Sequence, residues 1–202
     1  MRASRMGAIA LAAAGLSCVL AASWIDVKAR VAQLLIARAW NEEQQGQAHP
    51  SPWPWADTLP VARLIVPRRT APDGFIVLEG SSGRNLAFGP THDPATVLPG
   101  ERGNSVIAGH RDTHFRFLRG LRDGDLIGVQ RPHAAVVWFA VTQTAVVDSR
   151  HTRIALDSDE PRLTLVTCYP FDAVVPGGPL RYVVTAARVV RQSIPVKANG
   201  PA

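Results

Sequence analysis

Glycine and proline interrupt the chain so often after residue 60 that short strands are favoured there over long helices. The 202 residues include 16 glycines and 16 prolines, and short runs rich in apolar and β-branched residues lie between them. No helical stretch of crossover length separates these runs, which argues against a parallel doubly wound sheet. The pattern predicts a mainly β body, a closed barrel or a sandwich, from the runs 62–66, 75–78, 86–88, 105–109, 126–130, 135–147, 163–167 and 181–190.

The N-terminal segment, residues 1–26, contains an uncharged run from residue 6 to residue 25. As a helix, such a run is about 30 Å long, enough to cross the hydrocarbon core of a membrane. Arg2 and Arg5 precede it, which favours a cytoplasmic N-terminus and an extracytoplasmic body. We therefore expect a single-pass anchor in the inner (cytoplasmic) membrane, with the rest of the chain on the periplasmic, extracytoplasmic side. A signal cleaved after Ala21-Ala22-Ser23 is the alternative.

The rest of the chain divides into three further segments. Apolar residues recur at near-helical spacing from residue 27, and prolines and tryptophans follow, so residues 27–60 are predicted to form a stalk helix and a stiff linker. Residues 61–192 form the β body, and residues 193–202 are expected to be a flexible tail.

Charge and cysteine content restrict the possible functions. The net charge is +6, but the arginines are scattered along the chain without a dense basic run, so nucleic acid is not an expected partner. The two cysteines, Cys18 and Cys168, lie in the N-terminal run and deep in the body, and they are not expected to form a disulfide. In an exported domain Cys168 is then a lone thiol, which is either reactive or a small buried apolar side chain.

Three segments carry residues suited to one reaction. The run 104–109 ends on glycine and delivers His110, and the run 163–167 ends on Cys168. Arg181 begins the next run, and the intervening loop brings it back beside Cys168. The three side chains are therefore predicted to converge on one rim of the β body.

The motifs GHRDTHF, TLVTCYPF and LRYVV resemble those of the sortase family, in the family's order of histidine, cysteine and arginine. The form is most similar to class D and to the proteobacterial sortases related to it, and the match spans roughly residues 54–190. The resemblance implies an eight-stranded β-barrel with short helices, preceded by a transmembrane or stalk helix. It implies His110, Cys168 and Arg181 as catalytic residues and Thr167 as a residue near the substrate.

The same resemblance implies the partners. A sortase cleaves an LPxTG-like C-terminal sorting signal of a protein substrate and transfers the acyl group to an amine acceptor. This chemistry uses a thiolate, which is scarce for a free cysteine with a pKa of about 8.5 unless a cation such as an imidazolium stabilises it. An arginine can then stabilise the oxyanion or hold the substrate backbone. No cofactor is expected.

Other interpretations remain open from the sequence. His110, Asp112 and His114 form an H-x-D-x-H pattern, but further metal ligands are not evident, and no metal is predicted. An L,D-transpeptidase keeps an arginine two residues after its cysteine, where this chain has Pro170. A non-catalytic β-barrel adaptor that binds C-terminal peptides is the third possibility.

Overall fold

A computed structural model describes residues 2–67, 69–70, 74–175 and 177–189. The chain begins with one long helix, α1, from Arg2 to Gln44. Within the described residues, no helix holds a stretch apolar enough to cross a membrane. The structure thus does not support the transmembrane span expected from residues 6–25, a run rich in alanine, which is only weakly apolar. The helix predicted from residue 27 onward is present as the second half of α1.

A closed barrel of eight strands follows α1, as the resemblance implied. A short helix, α2 (Gly83–Leu86), precedes the third strand, and a 3₁₀ helix (Arg116–Gly120) follows the fourth. The strands are β1 (Pro60–Ile65), β2 (Phe75–Glu79), β3 (Thr91–His92), β4 (Asn104–Ala108), β5 (Leu126–Gln130), β6 (Val137–Asp148), β7 (Arg162–Cys168) and β8 (Leu180–Val189). The predicted tail, residues 193–202, lies outside the described residues.

The strands close in the order β1-β2-β3-β4-β7-β8-β6-β5. Two pairs are parallel, β2 with β3 and β4 with β7, and the other pairs are antiparallel. The β4–β7 pair is the important one for function. Because parallel strands point the same way, the carboxyl ends of β4 and β7 lie at the same rim, with the start of antiparallel β8 beside them.

The barrel interior is filled by alternate residues of the strands and by one aromatic residue from outside them. Leu163 and Leu165 of β7, Val184 of β8 and Phe139 of β6 are fully buried, as the two-residue period of a strand requires. Phe115, just before the 3₁₀ helix, is also fully buried in this cluster. The strand ends are therefore held by a close-packed core.

Helix α1 is fixed to the barrel by its last turns. Ile36, Ala39 and Trp40 are buried, and the guanidinium of Arg63 on β1 lies 5.2 Å from the centre of the Trp40 ring. Gln33 donates a hydrogen bond of 2.5 Å from Nε2 to the carbonyl of Phe88. The C-terminal half of α1 is therefore packed against the outside of the barrel and belongs to the same domain.

One predicted strand was wrong. The run 86–88 begins at the end of α2 and continues into a turn, and the third strand is instead Thr91–His92. The cause is a local cap: the Ser82 hydroxyl accepts a hydrogen bond of 3.2 Å from the Asn85 amide, which satisfies a free donor of the first helical turn.

Candidate active site

His110 and Cys168 are brought together by the register of two parallel strands. Five pairs run from Asn104↔Arg162 to Ala108↔Val166 with a constant offset. The same offset continues past β4, since the Gly109 amide donates to the Val166 carbonyl at 3.1 Å. Continuing the register by two residues sets His110 beside Cys168.

Arg181 is the direct cross-strand partner of Cys168 in the antiparallel β7–β8 pair. Directly opposed residues project from the same face of a sheet, with Cα atoms about 4.5–5.5 Å apart. The three predicted residues therefore occupy neighbouring positions across β4, β7 and β8, a set called here the catalytic row. The pairing of Cys168 with Arg181 is observed, the place of His110 beside them follows from continuing the register, and the catalytic roles of all three stay a prediction.

The side chains of the row differ in exposure. Cys168 and Arg181 are half-buried, and His110 is exposed. The Nη1 atom of Arg181 donates to the carbonyls of Gly178 at 2.6 Å and Leu180 at 2.9 Å. Its Nε and Nη2 atoms make no hydrogen bond to any residue in the described part of the chain. Arg181 therefore has donors left for a substrate oxygen or an oxyanion.

Thr167, predicted to lie near the substrate, has its hydroxyl engaged inside the fold. Its side chain is buried, and Oγ1 donates to the carbonyl of Gly109 at 2.6 Å. This bond joins the residue before the cysteine to the residue before the histidine. A contact between Thr167 and substrate remains a prediction.

Gly109 lets the backbone that leads to His110 pass close to the core. A Cβ atom at this position would lie 2.7 Å from Cγ of the buried Phe115 ring, closer than real Cβ contacts allow. Since Phe115 belongs to the core, the absence of a side chain at position 109 lets the backbone pass over the ring. His110 then follows at the rim.

Arg111, directly after His110, is a further functional candidate. Its side chain is buried, and its two terminal nitrogens donate to Pro170 O at 2.9 Å and Ala173 O at 2.7 Å. Its Nε donates to Asp112 at 2.9 Å. Arg111 thus holds the β7–β8 loop, which begins after Cys168, against the segment that carries His110. The signal in the sequence was the arginine directly after the histidine.

Two clefts flank the catalytic row. The first, the groove, holds about 250 Å³ on the outside of β6, β7 and β8 and is partly covered by Ile154 of the β6–β7 connection, residues 149–161. Its lining includes Ala145, Val147, Val183 and Thr185. Val147 pairs with Arg181 across β6 and β8, so the groove reaches the row. These positions alternate with core residues, and we did not single them out from the sequence.

The second cleft lies between α1 and His110 and holds about 850 Å³; we call it the helix cleft. It is lined by Ala29, Arg30, Gln33, Leu34, Ala87, His110, Thr113 and His114. His114 packs edge-on against Phe75, with ring centres 5.6 Å apart. Burial, and next the nearby charge of His110, lower the pKa of His114 below its usual 6.5. The neutral form of His114 is thereby favoured.

The H-x-D-x-H pattern is not assembled as a metal site. Asp112 accepts from Arg111, and His114 packs on Phe75. In the part of the chain that the structure describes, no three His, Cys, Asp or Glu side chains are grouped to hold a metal ion. Another acidic residue, Asp159 in the β6–β7 connection, forms an ion pair instead, with its carboxylate 2.8 Å from the guanidinium of Arg102.

Comparisons with known proteins identify the family. The family model for the Sortase domain matches residues 65–189. Sortase D of Bacillus subtilis (strain 168) is 33% identical over 114 residues, which cover 56% of this chain and 57% of that protein. The chain thus spans little more than half the length of this curated relative, and the class D resemblance fits it.

Solved structures share the fold. Sortase A from Corynebacterium diphtheriae aligns with a TM-score of 0.60 and 27% identity, over 68% of this chain and 64% of that one. A Sortase D5 transpeptidase from Clostridium perfringens aligns with a TM-score of 0.56 and 23% identity, over 76% and 89%. Because the family model matches more than half of the chain, this chain belongs to the sortase family.

Proposed function

We propose that this chain is a cysteine transpeptidase that cleaves an LPxTG-like C-terminal sorting signal and transfers the acyl group to an amine. The observation that carries the proposal is the catalytic row, in which Cys168 pairs directly with Arg181 and the β4–β7 register leads His110 to its other side. A thiol flanked by an imidazole and a guanidinium is the arrangement that acyl transfer requires.

The first half-reaction forms a thioacyl-enzyme. The Cys168 thiolate attacks the scissile carbonyl carbon, and the resulting oxyanion is stabilised by the free donors of Arg181. The C–N bond breaks as His110, in its imidazolium form, gives a proton to the departing amine. In the second half-reaction His110 takes a proton from the acceptor amine, the new C–N bond forms, and the thiolate leaves.

The groove supports a peptide substrate. It reaches the catalytic row at Val147, and its lining combines small and aliphatic side chains such as Ala145 and Val183 with polar ones such as Gln143. Apolar surface with a few polar groups suits an extended peptide that carries small or aliphatic residues. In this proposal the acyl part of the sorting signal lies in the groove, and its scissile carbonyl lies between Cys168 and Arg181.

The test uses the full chain and a peptide with an LPxTG-type motif. Mass spectrometry is expected to detect a thioacyl adduct on Cys168 and, with an added amine, a transpeptidation product. Cys168→Ala and His110→Ala are expected to abolish turnover. Arg181→Lys, which loses the planar fork, is expected to lower kcat by about 10² to 10³.

Matched controls separate these roles from general damage. The controls alter the same residue types at positions outside the row: Cys18→Ala, His151→Ala and Arg188→Lys. His151 and Arg188 are exposed. All three variants are expected to keep turnover. Binding of the peptide without any adduct or cleavage would instead favour the adaptor function. Turnover that survives Cys168→Ala refutes the proposal.

We further propose that the domain acts outside the cytoplasm, at the inner membrane, directed there by the N-terminal segment. Support comes from Arg2 and Arg5 before the uncharged run. A membrane-impermeant maleimide is expected to label Cys168 in spheroplasts without lysis. The mass of the purified protein distinguishes a retained N-terminus from a cleaved signal, and labelling only after lysis contradicts the proposal.

A further inference from the structure

The amine acceptor needs its own route to the thioester, separate from that of the acyl peptide. Attack by the acceptor is the chemical reverse of the departure of the leaving amine, so both use the same proton carrier and approach from the same side. If the proposed function holds, that carrier is His110. The acceptor site is therefore expected in a cleft that borders His110 and is separate from the groove, which the acyl peptide occupies.

The helix cleft meets this condition. In the barrel β4 lies between β3 and β7, so Cys168 on β7 is on one side of His110. Ala87, shortly before β3, lines the helix cleft on the other side. The groove is built mainly from β6, β7 and β8, and it touches β4 only at Asn104, the end of that strand farthest from His110. The two clefts therefore approach the catalytic row from opposite sides.

The wall of the helix cleft is held in place. Gln33 is bonded to the Phe88 carbonyl, and Ile36 and Trp40 bury the next turns of α1 against the barrel. The Sortase model begins at residue 65, so this wall lies outside the matched region.

The charge of the helix cleft indicates the class of acceptor. Arg30 lines it and, among the described residues, has neither an ion pair nor a hydrogen bond. The part of the lining that the structure describes contains no aspartate or glutamate, while Ala29, Leu34 and Ala87 give it apolar surface. A guanidinium recognises a carboxylate through paired hydrogen bonds. We infer that the helix cleft binds an amino acid or short peptide that presents its primary amine to His110 and its carboxylate to Arg30.

The experiment measures how the thioacyl-enzyme divides between aminolysis and hydrolysis. The full chain is given the sorting-signal peptide together with triglycine or with triglycinamide, which lacks the carboxylate. We expect a higher ratio of aminolysis to hydrolysis with triglycine. Arg30→Gln is expected to remove this preference, a fall of roughly two- to five-fold, as for an exposed ion pair. Arg30→Glu is expected to reverse it in favour of triglycinamide.

Two further variants complete the design. Arg38→Gln removes an exposed arginine on the same helix that is paired with Glu42, and it is expected to keep the wild-type preference. Ala29→Trp places bulk in the cleft from an exposed position and is expected to lower aminolysis by both acceptors relative to hydrolysis.

The outcomes separate the two proposals. Absence of any adduct or hydrolysis in the wild type defeats the proposed function, and the inference with it. Hydrolysis with equal use of triglycine and triglycinamide, or a preference that survives Arg30→Gln, overturns the inference alone. So does aminolysis that Ala29→Trp leaves unchanged.

Discussion

The guanidinium of Arg111 donates a hydrogen bond of 2.9 Å to the carbonyl of Pro170, which ties the residue after the proposed base to the second residue after the proposed nucleophile. A second bond reaches Ala173, so the two carbonyls are held by one planar fork. The buried Arg111 side chain thus helps to set the distance between His110 and Cys168. None of the hydrogen bonds described for Arg111 goes to either residue.

Arg111→Lys is predicted to reduce kcat more than it changes KM. An ammonium cannot reproduce the fork, and hydrogen bonds from a charged donor contribute about 1.5–3 kcal/mol each. We expect the pH profile of Cys168 alkylation to change, because the loop after Cys168 loses its hydrogen bonds to Arg111 and the thiol can move relative to His110. Arg116→Lys, at an exposed position nearby, serves as the control. An unchanged alkylation profile in Arg111→Lys would show that the arginine is merely structural.

Thr167→Val is predicted to destabilise the fold by about 1–3 kcal/mol. It keeps the shape of the side chain but removes the donor to Gly109 O, and a polar group that loses its partner carries this cost. Urea unfolding measures the loss, and Thr167→Ser, which retains the hydroxyl, is expected to lose less. A large rise in KM without loss of stability would instead support the substrate contact implied by the family resemblance.

Most of the strands and the positions of the three residues of the row were predictable from local signals, whereas the closed barrel followed only from the family resemblance. The strand β4, which ends just before His110, and the strand β7, which ends at Cys168, are short β-rich runs followed by glycine and by proline, and family motifs mark their ends. The strand run 86–88 failed because Ser82 caps a short helix there. The two clefts were not predictable, since each depends on elements distant in the chain, such as Leu34 against His110.

Gly109→Ala is predicted to cost about 1–3 kcal/mol of unfolding free energy, the usual penalty for excess volume in a packed core. The new Cβ would lie within 3 Å of three atoms of the Phe115 ring, and that ring is fully buried. Combining it with Phe115→Leu is expected to cost less than the sum of the two changes. Gly83→Ala, where a Cβ meets nothing within 4 Å, is the matched control, and an equal effect at both positions would contradict the argument.

His114 is predicted to make the domain less stable in mild acid. Burial and the charge of His110 lower its pKa in the folded state, so below pH 6.5 the unfolded chain binds a proton that the folded chain resists. Stability therefore rises with pH across this window and is lost as pH falls through it. His114→Gln is expected to flatten the dependence of the urea midpoint between about pH 5 and pH 7. His151→Gln, exposed in the β6–β7 connection, is expected to leave the slope unchanged, and a slope in His114→Gln as steep as in the wild type would assign the acid sensitivity to another group.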